Sequence, residues 1–176
     1  MLLCVVCYLG HGLGFRAFNL WSVLVYSVLQ HLLAITLLRA GPQDLPAHSS
    51  LPLWLTAAYV LVGGLMGASD EGFAISAMQA GVDALLLAVF SFGVLKLRDF
   101  PQRFNQTYAA LVGISLLFTL LSWPLLGALP DALSNQLSLA QIGLLVIVLW
   151  NLVALGQVLR SALEVGAGVG LVLAVV

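Results

Sequence analysis

The sequence predicts an all-α protein, a polytopic transmembrane helical bundle of about five to six helices. Hydrophobic residues make up 62% and charged residues 7% of its 176 residues, too few charges to cover a water-exposed surface. Charge-free stretches of about 20 residues recur, each long enough to cross a hydrocarbon core of about 30 Å as a helix. Their apolar residues run without the period-two alternation of a barrel strand. A net charge of −1 supplies no field for nucleic acid, and no polybasic cluster marks anionic-lipid recognition. The expected surroundings are membrane lipid, in a bacterial inner (cytoplasmic) membrane.

The chain divides into an N-terminal apolar part, 1–46, and a bundle, 47–176. Met1 to Phe15 and Phe18 to Leu38 are both apolar, separated by Arg16 and Ala17. The reading taken for 18–38 is a span. Ser22, Tyr26, Gln30 and His31 recur at helical spacing, however, so a helix lying in the interface stays open. Removal as a signal peptide ranks last, for want of a basic n-region and a small-residue cleavage site. Gly41 and Pro42 then stop the helix, and 39–46 is an extended connector.

Four further spans follow, at about 50–68, 73–95, 106–129 and 137–159. Trp54 and Pro52 mark the interface at the start of the first. Asp70-Glu71-Gly72 is so short a connection that the first two must form an antiparallel hairpin. Pro124 removes a backbone donor and is expected to kink the third. After Arg160 and Glu164 a partial span, 163–176, is too short to cross and is expected to end inside the bilayer. Arg39, then Lys96, Arg98 and Arg103, then Arg160 occupy alternate connections, which places these on the cytoplasmic side and Asp70, Glu71 and Asp131 outside.

Phe100-Pro101-Gln102-Arg103-Phe104-Asn105-Gln106-Thr107, leading into a span with Pro124 and then one containing Trp150, resembles the Yip1-type family of small membrane proteins over about the second half of the chain. The resemblance implies a bundle of about five helices. Eukaryotic members bind small GTPases through a hydrophilic cytoplasmic N-terminal region that has no counterpart in this sequence, so that partner is not implied. Nor does the family supply site residues.

Asp83 is the outstanding candidate for function, because it lies in the middle of an otherwise charge-free run where insertion of an Asp costs roughly 2.5–3.5 kcal/mol. Ser76, Gln79 and Asp83 share one helical face. That face is expected to point into the bundle, toward Asn151 and Gln157 or toward Ser115 and Thr119. No Lys or Arg lies at matching depth. The first reading is a neutral Asp that ties two helices; proton or cation handling and contact with a partner chain are the others. Gly63 with Gly67, and Gly166 with Gly170, have the four-residue separation that lets helix backbones approach. Gly10 with Gly14 repeats it, and Ser115, Thr119 and Ser122 form a stripe suited to interhelical hydrogen bonds.

No catalytic, cofactor-binding or metal set is recognised. Cys4, Cys7 and His11 are one ligand short of a zinc site and read as small apolar residues. The sequon at Asn105 is assigned to the cytoplasmic boundary and therefore read as unused. The function expected is a non-enzymatic scaffold or accessory subunit of a larger membrane complex, acting through lateral helix contacts with other subunits or itself. The alternative is a small proton- or cation-coupled transporter or channel using Asp83, although no internal repeat of the transporter kind is found.

Overall fold

A computed structural model describes residues 26–45, 48–129 and 138–175, and helix is the regular structure they form. Cys4, Cys7, His11, Gly10, Gly14, Arg16, Asp131 and the first part of the expected span 18–38 lie outside these residues. Helix α1 covers residues 26–36; α2 is Leu51–Met66, α3 Phe73–Leu97, α4 Phe104–Leu126, α5 Leu139–Leu163 and α6 Ala167–Val175. Single 3-10 turns, Pro42–Asp44 and Pro101–Arg103, precede α2 and α4.

Among the described residues, α3, α4 with its preceding turn, and α5 are long and apolar enough to cross a membrane. Their outward faces are apolar: Leu85, Leu86 and Val89 on α3 and Leu145, Val146 and Leu149 on α5 are all exposed, a surface that lipid and not water would cover. Helix α2, in contrast, has 16 residues and reaches only about 24 Å, shorter than the span 50–68. Its end is set by the polar turn at Ser69, Asp70 and Glu71. Gly67 N–H closes back on Gly63 O, and Gly72 then takes φ 87°, a conformation that side chains with a Cβ rarely adopt.

The α2–α3 hairpin packs small residues on small residues. A Cβ at Gly63 would come within 2.8 Å of Ala80 Cβ, one at Gly64 within 2.9 Å of Ala77 Cβ, and one at Gly67 would strike Ser76. The glycines of α2 thus meet a matching Ser76, Ala77 and Ala80 edge on α3, and the backbones approach closely.

Helix α4 is the centre of the bundle. Every residue from Thr107 to Ile114 is buried, so this half of the helix is surrounded and not amphipathic, with α2, α3 and α5 around it. Helix α1 completes the enclosure: Val28, Leu32 and Ile35 are buried at i, i+4 and i+7, and Leu32 fills the space that a side chain at Gly113 would need. Tyr26 and Gln30, on the expected polar face, are exposed. Trp150 Nε1 of α5 donates to Thr36 O at the end of α1 at 3.0 Å.

Pro124 lies inside α4, in its last turn, where it removes the N–H that would close on the Leu120 carbonyl. One expectation for α4 is corrected. Thr119 Oγ1 donates to Ser115 O at 2.8 Å and Ser122 Oγ to Phe118 O at 2.7 Å, so these two hydroxyls of the stripe are satisfied within their own helix and do not bridge to another.

Helix α5 begins with a capping box. Ser138 Oγ accepts from Gln141 N–H and Gln141 Oε1 accepts from Ser138 N–H, which satisfies two otherwise free donors. It ends at Glu164, in a left-handed conformation with φ 55°, and the chain reverses into α6. Gly170 makes this return possible, because a Cβ there would lie 2.5 Å from Gly156 O and 2.8 Å from Arg160 Cβ. Gly166 has open space around it and takes no part, contrary to its expected pairing with Gly170.

The cationic connections gather at one end. Arg103 pairs with Glu164 at 2.8 Å and donates to Ala162 O, while Gln106 Nε2 donates to Leu45 O at 3.1 Å. The connector before α2, the turn before α4 and the α5–α6 reversal therefore share a side, as the alternation of basic residues requires.

Candidate functional site

Asp83 stands near the middle of α3, a helix of 25 residues, and its side chain is exposed beside α2. Tyr59 of α2 reaches it, with Oη donating to Asp83 Oδ2 at 3.4 Å. That is long for an O–H···O bond. The expected partners take other places. Asn151, on α5, has a buried Oδ1 with no hydrogen-bond partner among the described residues, and Gln157 belongs to the cationic end. Ser115 and Thr119 share hollows with Asp83 but make no hydrogen bond to it.

The polar face of α3 does not act as one unit. Ser76 is buried beneath Gly67 and donates to Gly72 O at 3.2 Å. Gln79 is exposed and donates through Nε2 to Glu71 Oε2 at 2.7 Å. Asp83 is exposed to a groove, not enclosed in the bundle as expected. The reason lies in the hairpin packing: the Ser76, Ala77 and Ala80 edge is consumed against the glycines of α2, which turns Gln79 and Asp83 to its flank.

Asp83 divides two hollows. Toward the α2–α3 turn is an open groove of about 420 Å³ lined by Tyr59, Asp70, Glu71, Gln79, Asp83 and Thr119 among others. Among the described residues its charged groups are all acidic, and no cation lines it. Toward the cationic end is a hollow of about 620 Å³, lined chiefly by apolar residues including Leu111, Leu155, Leu159 and Leu173. A carboxyl is thus presented where an acidic groove gives way to an apolar hollow. Such a group can accept hydrogen bonds from a donor brought laterally, or exchange a proton or cation along the groove.

Next to this lies a polar tie that the sequence reading missed. Tyr108 of α4 is buried and its Oη donates to Ala84 O of α3 at 3.2 Å, while Thr56 Oγ1 of α2 lies 3.0 Å from the same hydroxyl. Thr56 also reaches Pro52 O at 2.8 Å. The Tyr108 ring stacks on Phe104 at 5.5 Å, and Phe104 meets the edge of Phe92 at 5.6 Å. A tyrosine at the start of an apolar run, one turn from Phe104, was the available signal, since a buried hydroxyl needs a partner.

No protein-family model, curated protein or solved structure matches the chain.

Proposed function

We propose that this protein is a non-enzymatic scaffold or accessory subunit of a bacterial inner-membrane complex, joined to its partner through the α2–α3 face that carries Asp83. The observation behind this reading is the exposure of Asp83 in the middle of an apolar helix, with one long contact to Tyr59. Left against lipid, the carboxyl is costly. A neighbouring transmembrane helix that offers a hydroxyl or amide donor removes that cost, and the exposed apolar side chains around it supply packing. The Yip1-type layout of residues 100–107, Pro124 and Trp150 supports a role without catalysis, and contributes no site residue.

Purification of the native protein in mild detergent tests the proposal. Recovery with other membrane subunits, or as a defined self-assembly, is expected, and recovery only as a lone monomer refutes it. Asp83→Asn should keep the association if the group acts as a neutral hydrogen-bonding tie. Asp83→Leu should release the partner while leaving the monomer folded.

One observation favours a second reading, a small proton- or cation-coupled transporter or channel. The acidic groove from Asp70 and Glu71 to Asp83 offers a cation a path from the turn into the membrane. In reconstituted vesicles this reading requires a proton- or cation-dependent flux that Asp83→Asn abolishes, and flux unchanged by that substitution eliminates it.

A further inference from the structure

We propose a second site, at the opposite end of the molecule from the α2–α3 turn: the cleft between α4 and α5 at the cationic end binds a phosphate group. The cleft is about 540 Å³ in volume, and Gln43, Arg103, Gln106, Thr107, Gln157 and Arg160 are among its walls. Its lining residues include two arginines and one glutamate, Glu164, which leaves a net charge of +1 by subtraction. An anion is therefore the ligand the field selects.

The two arginines differ in how far they are already neutralised. Arg103 is paired with Glu164 at 2.8 Å, and its guanidinium rests 4.6 Å from the Phe100 ring centroid. It is a positioned group at the rim. Arg160 has no ion pair among the described residues; its contact is a 3.4 Å approach to Gln157 Oε1. Its charge and most of its fork of donors are free for a tetrahedral oxyanion, which guanidinium binds in bidentate fashion.

The second observation is independent of charge. Thr107 is 1% exposed, and its Oγ1 is buried with no hydrogen-bond partner among the described residues. Buried hydroxyls are rarely left so, and such a group calls for a missing acceptor. A phosphate oxygen seated in the cleft supplies one. Depth agrees with this chemistry, since Arg103 precedes α4 and Arg160 lies in the last turn of α5, where phospholipid headgroups meet a spanning helix; basic pockets between helices at this level recognise anionic headgroups.

The phosphate can come from a lipid headgroup or from solution, and one experiment separates the sources. The full chain in a neutral maltoside detergent is titrated with dioleoyl phosphatidylglycerol, with the diacylglycerol of the same acyl chains, and with inorganic phosphate, and thermal unfolding is followed. Phosphatidylglycerol should raise the melting temperature and diacylglycerol should not. Arg160→Gln and Thr107→Val should each raise the half-saturating concentration about tenfold, the loss of one charge-assisted hydrogen bond. Thr107→Val without ligand should melt no lower than the native protein, because it removes a hydroxyl that has no partner. Saturable protection by inorganic phosphate that depends on Arg160 sustains the site and assigns it to a soluble ligand. If neither phosphate source protects, or if Arg160→Gln leaves the phosphate response intact, the proposal is overturned.

Discussion

At the residue scale, the Tyr108 hydroxyl joins three helices. It donates to the backbone of α3 and lies against Thr56 of α2, while its own ring is fixed by Phe104. Interhelical hydrogen bonds in membranes contribute about 0.6 kcal/mol on average and up to about 1.7. Tyr108→Phe should therefore destabilise the protein by about 1 kcal/mol, read as a lower midpoint in a denaturing-detergent titration. An unchanged midpoint would mean that the hydroxyl contributes nothing net. Arg103 and Glu164 are a different case. Their side chains are 39% and 61% exposed, and pairs so open to solvent are worth about 0–1 kcal/mol. Glu164→Gln should leave the same midpoint within about 1 kcal/mol, and a larger loss would show that the α5–α6 reversal depends on the ion pair.

At the element scale, the close approaches of glycine decide which helices touch. Gly170 faces a backbone carbonyl of α5, an atom that cannot move aside as a flexible side-chain end can. Gly170→Val should cost about 1–3 kcal/mol through overpacking and should free α6 to proteolysis. Gly166→Val, in open space, should do neither, so equal effects at the two positions would refute the docking of α6 on α5. The start of α5 is equally specific. Ser138→Ala removes the capping acceptor for Gln141 N–H and should cost about 1 kcal/mol in the same titration. The Ser-Leu-Ala-Gln stretch at 138–141 is a readable capping signature, and it falls within the first turn of the span predicted at 137–159.

At the scale of the whole molecule, charge and packing act on different questions. Three cationic connections meet at one end of the bundle, so reporter fusions at Asp44 and after Arg98 should give the same signal, and a fusion after Glu71 the opposite one. Equal signals from all three would exclude the topology. Three long apolar helices, the hairpin and the sharing of sides were legible in the sequence, while the span placed at 50–68 is a shorter helix; a charge-free run, a three-residue polar connection and alternating cations each act locally, through the cost of placing charge in lipid. The candidate site was legible in part. Asp83 stood out for the same reason, whereas its direction did not, since Ser76, Gln79 and Asp83 share a helical face and yet meet α2, Glu71 and Tyr59 respectively. Sequence alone thus determined a helical bundle with helices long and apolar enough to cross a membrane and one carboxyl in the middle of such a helix. Tertiary structure decided that α4 is central, that Asp83 opens to a groove, and that Arg103, Thr107 and Arg160 line one cleft. Burial in lipid is a sum over single residues and can be read in order, but which helix faces close depends on small residues far apart in the chain meeting at contact distance.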